Sequence, residues 1–246
     1  MSAANYFELV SAVACLALTV WVAIDTSRRG ELGLVGLLAI AGFSIFWQEF
    51  YADWGSYLLW SQNFHMLPWG STTWTTPDKP AMNLTSYPVF MASAFLSMLA
   101  LQRWARRRWP RVHPLVLSLI TAGPVLIGFN LAMEYISVKT LGLWTYVDTV
   151  GPALHTDAGT MPLLYPNIPF GIFGAVTAFL VGWTNAEGTP RFEALITKPG
   201  LPQGIKRDVR RALAWALTFN VTYWFFLITP TVGLRLTFGE PSVLVP

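Results

Sequence analysis

Charge is what this sequence has least of. Aspartate, glutamate, lysine and arginine make up 12% of its 246 residues, against about 25% in an ordinary soluble domain. That scarcity, with 54% hydrophobic residues and a mean hydropathy of +0.47, excludes a cytosolic enzyme and a disordered chain, because a soluble fold of this size could not hide so much apolar surface. The single cysteine, Cys15, lies inside an apolar run. It excludes an intrachain disulfide and a thiolate metal cage, and it is silent on redox compartment. Three histidines are too few for the multi-histidine boxes of membrane di-iron enzymes. There is no His-Glu-x-x-His, no Gly-x-Ser-x-Gly elbow, no glycine-rich phosphate loop, no low-complexity tract and no internal repeat. No metal and no cofactor are therefore expected. The net charge of +3 does not point to a nucleic-acid partner, since the basic residues sit in short loops between apolar runs.

What is present is length in apolar runs. Six segments, at 7–25, 32–51, 83–101, 114–136, 168–184 and 212–230, each approach the ~20 residues a spanning helix needs. The fold class expected is an all-α integral membrane protein, a single domain over 1–246 built as a bundle of six transmembrane helices. The first segment does not read as a cleaved signal, because Glu8 precedes its apolar stretch and no basic region does. Thirteen of the 16 basic residues fall in the loops after segments one, three and five. They are Arg28 and Arg29, then Arg103, Arg106, Arg107, Arg108 and Arg111, then Arg191, Lys198, Lys206, Arg207, Arg210 and Arg211. The positive-inside rule places those loops in the cytoplasm and both termini outside. Lys79, Lys139 and Arg235 remain on the other side.

Two non-cytoplasmic loops, 52–82 and 137–167, are rich in Trp, Tyr, Pro and Gly. They read either as partly buried caps folded over the helix ends or as an interfacial aromatic belt. Their Pro, Asp and Thr content makes each a poor seventh span.

Acids at a membrane boundary are expensive and commonly functional. Segment two ends Trp47-Gln48-Glu49-Phe50-Tyr51-Ala52-Asp53-Trp54-Gly55-Ser56-Tyr57. In a continuing helix, Glu49, Asp53 and Tyr57 share a face. Segment four ends with Asn130 and Glu134, again four apart. Glu49 lies 17 residues past Leu32, and Glu134 lies 19 past Leu115. The two carboxyls therefore reach similar depth near the outer boundary. Asn220 and Tyr223 on segment six, Asn83 and Tyr87 opening segment three, Asn5 and Glu8 opening segment one, and His65, His155 and Asp157 in the outer loops could converge there. Three readings stay open for the glutamates: carboxylates at the water interface, an inert polar clamp between helices, or a catalytic or ligand-binding site. Carboxylates, amides, phenols and indoles without a cofactor suit acid–base chemistry on an apolar small molecule. An acid buried in an apolar pocket can keep a proton to donate near neutrality, and aromatic faces can steady a passing cation.

The run from Trp47 to Tyr57, followed by Pro68-Trp69-Gly70, Trp74-Thr75-Thr76-Pro77 and Gly128-x-Asn130-x-x-x-Glu134, resembles the AveC-like membrane spirocyclases over roughly residues 40–170. The resemblance implies spiroketal formation from a polyketide dihydroxy-ketone, with Glu49, Asp53 and Glu134 as the acid/base candidates. Asn130 and Tyr57 would then hold the substrate oxygen, and Trp47, Trp54 and Tyr223 would line the cavity. A looser similarity to fungal membrane meroterpenoid cyclases rests on Trp47-Gln48-Glu49, but segment six offers Asn220 where those enzymes carry a late acid. The rival classes are a proton- or cation-coupled carrier of an apolar ligand, and a structural subunit. The expected partners are an apolar small molecule and the lipid bilayer, with oligomeric state open.

Overall fold

The computed structural model describes residues 1–70, 72–197 and 204–246. Its helices are α1 (Ala3–Arg29), α2 (Leu34–Gly55), α3 (Asn83–Arg108), α4 (Pro114–Leu141), α5 (Asn167–Gly182), α6 (Arg191–Thr197) and α7 (Ile205–Phe238). Lys198, counted above with a basic loop, lies outside the described residues.

Five of these helices, α1, α2, α3, α4 and α7, are long and apolar enough to cross a membrane. The sixth expected span corresponds to α5, which has 16 residues. At 1.5 Å per residue it reaches about 24 Å, short of the ~30 Å hydrocarbon core. Helix length therefore carries five spans rather than six. The two ends of the chain nevertheless lie at one end of the bundle. Ala4 at the start of α1 and Val138 in α4 pack in one cluster with the loop residues Leu58 and Trp60. The Trp54 indole donates to the Pro246 carbonyl at 2.5 Å, so the C-terminal tail returns to the same end.

The all-α expectation needs a second amendment. The two aromatic loops do not remain loops. They form a four-stranded antiparallel sheet in the order β1-β2-β4-β3, from β1 (Leu58–Trp60), β2 (Trp144–Tyr146), β3 (Ala153–Thr156) and β4 (Gly159–Pro162). β1 comes from the first loop and the other three from the second, so the sheet stitches the ends of α2 and α4 together. In register, Trp60 faces Trp144 and Leu58 faces Tyr146. The indole rings of Trp60 and Trp144 meet edge to face at 4.9 Å, a cross-strand pair of the kind that stabilises short strands.

Within the bundle, α2, α3, α5 and α7 surround a core of Phe95, Phe173, Trp215, Phe219 and Tyr223. α2 is pinned on both sides of its acidic stretch by glycines. A Cβ on Gly42 would stand 2.8 Å from the Cβ of Met91 and from the Tyr87 carbonyl, and one on Gly55 would stand 2.9 Å from the Thr231 side chain. These close approaches let α2 contact α3 and α7 backbone to backbone, the packing that small residues permit in membrane bundles.

Candidate active site

α2 does not stay regular up to its acids. Residues Phe46–Gln48 tighten into a 3-10 turn, and α geometry resumes at Glu49–Gly55. Three residues at 120° rather than 100° rotate the following face by about 60° relative to a straight helix. Glu49 and Asp53 are thus re-aimed together. α4 turns into π geometry at Ile136–Leu141, just after Glu134, and α7 does so at Trp224–Ile228, just after Tyr223. Each irregular turn adjoins a polar residue of one cavity, a placement common at functional sites.

Glu49 sits in a ring of three oxygens. The Tyr223 hydroxyl donates to Glu49 Oε2 at 2.5 Å, the Tyr87 hydroxyl donates to the same atom, and the two tyrosine oxygens are 2.9 Å apart. The other two acids are held by the cross-strand tryptophans. Trp60 Nε1 donates to Asp53 Oδ2 at 2.8 Å, and Trp144 Nε1 donates to Glu134 Oε2 at 2.9 Å. The sheet therefore sets the orientation of two carboxyls on two different helices. Tyr146, one strand position from Thr145 on β2, adds a phenol beside Glu134. Burial first, then the neighbouring Glu134, push its hydroxyl well above the usual tyrosine range.

All three acids line one cavity of about 130 Å³. Tyr87, Tyr146 and Tyr223 line it too, as do Asn83 and Asn130, while Phe7, Phe90, Met133, Phe170 and Leu227 supply apolar wall. No lysine, arginine or histidine is among the lining residues. Each acid has one oxygen bonded to an aromatic donor, and Tyr146 also reaches the Glu134 carboxyl. Asn130 Nδ2 is committed to Asn167 Oδ1 at 2.8 Å. Asn83, 1% exposed, has a buried Nδ2 with no partner among the described residues. Lys79 is buried just outside this lining and donates to the carbonyls of Gly70 and Thr76 at 2.5 and 2.8 Å. Burial pulls its ammonium below the usual lysine range, with Asp78 and then Asp53 opposing that pull. Among the described residues no group of three or more His, Cys, Asp or Glu is arranged to hold a metal ion.

The structure thus brings together Glu49, Asp53, Glu134, Asn83, Tyr87, Asn130 and Tyr223 from the sequence expectations. It leaves Asn5, Glu8 and His155 out of the lining and keeps six further residues away. Tyr57 does not continue the α2 face: the helix ends at Gly55, Tyr57 takes a positive φ of 61°, and its hydroxyl donates to the Glu240 carbonyl at 2.7 Å. Trp54 is turned to the opposite side, its ring 3.8 Å from the Arg235 guanidinium. Trp47 is exposed, with its indole on the Ser44 carbonyl at 2.9 Å. Asn220 is interhelical glue, accepting from Gln48 at 2.6 Å and donating to Ser44 Oγ at 2.8 Å. His65 is exposed and paired to Glu8 at 2.6 Å. Asp157 lies exposed in the turn between β3 and β4. Sequence reasoning missed Trp60, Trp144 and Tyr146. The short motifs Leu-Leu-Trp and Trp-Thr-Tyr carried a signal in their strand propensity, but not in their register.

A family profile described as Spirocyclase AveC-like matches residues 7–245, nearly the whole chain. Searches of curated proteins and of solved structures find no match.

Proposed function

The chain belongs to the AveC-like spirocyclase family, and from that premise we propose that it closes a spiroketal from an apolar dihydroxy-ketone by carboxylate acid–base catalysis. Family membership supports a cyclase. The observation that carries the finer reading is the convergence of Glu49, Asp53 and Glu134 on one aromatic-walled cavity with no basic residue in its lining. Three like-charged groups in a water-poor space cannot all ionise, so the cavity retains protons.

Glu49 is assigned the general acid. Its ring with Tyr87 and Tyr223 contains three oxygen–oxygen contacts. Both phenols spend their protons on Oε2, and a carboxylic proton on Oε1, outside the ring, is the one Glu49 has to give. That proton passes to the substrate ketone oxygen as one hydroxyl oxygen adds to the carbonyl carbon. Asp53 or Glu134 takes the proton released from the attacking hydroxyl. The acid that took this proton then gives it to the hemiketal hydroxyl, which leaves as water, and the other hydroxyl captures the oxocarbenium ion and returns its own proton to Glu49. The balance is one dihydroxy-ketone to one spiroketal and one water. The faces of the lining tyrosines and of Phe90 and Phe170 steady the cation, and exclusion of bulk water protects it from capture. The free Nδ2 of Asn83 is the donor best placed to hold a substrate oxygen.

The test is cyclisation of a synthetic dihydroxy-ketone by membranes holding the full chain, followed by chiral chromatography. Glu49→Gln is expected to slow the reaction about 10²–10⁴-fold and to return the isomer ratio to that of the uncatalysed reaction. A well-folded Glu49→Gln protein with unchanged rate and ratio sinks the assignment.

A further inference from the structure

We propose that the opposite, basic end of the bundle holds a second ligand site, for a phosphate-type oxyanion, with Arg106 as its fork. This site is independent of the cyclase reading. It is a cavity of about 550 Å³ bordered by α2, α3, α5, α6 and α7. Arg106, in the last turn of α3, spends one nitrogen, Nη1, on the Gly182 carbonyl at 2.8 Å. Its Nε and Nη2 are buried from solvent and have no partner among the described residues. These two N–H groups form the edge of the guanidinium that takes two oxygens of one anion side by side. A buried charged donor without a partner is rare enough to call for an occupant.

The acids of the same cavity do not supply one. Glu193 is held by Arg211 Nε at 2.8 Å and by Trp215 Nε1 at 2.6 Å. Glu31 stands 3.4 Å from Arg207 and 3.6 Å from Arg211. Asp208, outside the lining, pairs with Arg211 at 3.4 Å. Glu187 is exposed and not within ion-pair distance of Arg106. Arg103, one turn before Arg106 on α3, lines the same cavity and has no acidic partner among the described residues. The free edge of Arg106 and the Arg103 guanidinium therefore face a space whose acids Glu31 and Glu193 stand within ion-pair distance of Arg207 and Arg211, and whose remaining acid, Glu187, is exposed.

Phosphate fits better than a lone carboxylate because it offers oxygens to both arginines. Depth supports this: Arg106 lies in the last turn of a helix long enough to span a membrane, where the phosphate layer of a bilayer lies. The cavity is also walled by Leu34, Leu37, Leu99 and Val181, so an acyl chain could continue from a phosphate held there. The same chemistry could come from an anionic lipid headgroup or from free phosphate.

The experiment places the full chain in nanodiscs of phosphatidylcholine, with or without a minor fraction of phosphatidylglycerol. Retained lipid is counted by native mass spectrometry, and thermal unfolding is followed in parallel. Inorganic phosphate is titrated into the pure phosphatidylcholine discs as the other arm. Saturable retention of phosphatidylglycerol assigns the site to a lipid. An unfolding shift from phosphate, with no response to phosphatidylglycerol, assigns it to a free anion. In either case Arg106→Gln is expected to weaken the effect roughly tenfold to a hundredfold, while Arg108→Gln, an exposed charge outside the cavity, leaves it unchanged. If Arg106→Gln misfolds, Arg106→Lys keeps the charge without the fork and is expected to bind roughly tenfold more weakly. The proposal is overturned if neither probe binds the wild-type chain saturably, if Arg106→Gln and Arg108→Gln lose equal amounts, or if Arg106→Lys binds as the wild type does.

Discussion

At the scale of single residues, the cavity separates groups that aim an acid from groups that merely hold the fold. Trp60 and Trp144 touch Asp53 and Glu134 through their indole N–H groups and each other through their rings. Trp60→Phe keeps the aromatic contact and removes the donor, leaving Asp53 free to rotate. It is expected to cost about tenfold in kcat, consistent with the steep cost of small misplacements, while circular dichroism and the unfolding temperature stay near wild type. A rate unchanged by Trp60→Phe would mean that Asp53 needs no aiming. Tyr57 gives the converse case. Its hydroxyl donates to the Glu240 carbonyl, away from the cavity, so Tyr57→Phe is expected to cost about 1 kcal/mol of stability and leave the product ratio untouched. A changed ratio would put Tyr57 back in the site.

At the scale of elements, the C-terminal segment acts as a clamp on the acid-bearing helix. Arg235 of α7 lies between the rings of Trp54 and Tyr57, at 3.8 and 4.0 Å, and donates to the carbonyls of Trp54 and Val245. Tyr165 donates to the Gly55 and Thr231 carbonyls, and its burial pushes its hydroxyl above the usual tyrosine range. Arg235→Met removes two charge-assisted bonds and two ring contacts. It is expected to lower stability by about 3 kcal/mol, read as a fall in the temperature at which the purified chain aggregates. An unchanged temperature would show that the tail is ornamental. These elements differ in how far they could be read beforehand. The long helices were legible because an apolar run of some twenty residues is a local property. The acids were legible because a carboxylate beside such a run is conspicuous, and because Glu49 with Asp53, and Asn130 with Glu134, keep i,i+4 spacing inside helices. The sheet was not, since β1 and β2 are three residues each and pair across more than eighty positions. Nor was the failure of Tyr57 to stay on the Glu49 face, because nothing in the composition announces that the helix stops at Gly55. Asn220 has the same chemistry as a ligand-binding amide, and only the approach of Gln48 and Ser44 from α2 shows that its groups are spent.

At the scale of the whole molecule, the two cavities lie at opposite ends of a bundle whose charge is divided in the same way. The sheet and the carboxyl cavity mark one end, and most of the arginines mark the other, beside Glu31, Glu187, Glu193 and Asp208. The chain begins and returns at the sheet end, and α5 is shorter than the ~30 Å a bilayer core presents. A short helix can be accommodated by a locally thinner bilayer at modest cost. The burial of Phe170, Phe173, Ala175 and Ala178 along α5 shows it resting on protein over much of its length. The positive-inside rule predicts that the sheet end, with its carboxyl cavity, faces away from the cytoplasm. Impermeant thiol labelling decides this. In a chain whose Cys15 is replaced by serine, Asp157→Cys places one thiol in the exposed turn of the sheet, and Arg108→Cys places one at the exposed basic end. Intact spheroplasts treated with a membrane-impermeant maleimide are expected to label Asp157→Cys at once and Arg108→Cys only after permeabilisation. The reverse order would invert the molecule, open the carboxyl cavity toward the cytoplasm, and require its substrate to arrive from inside the cell.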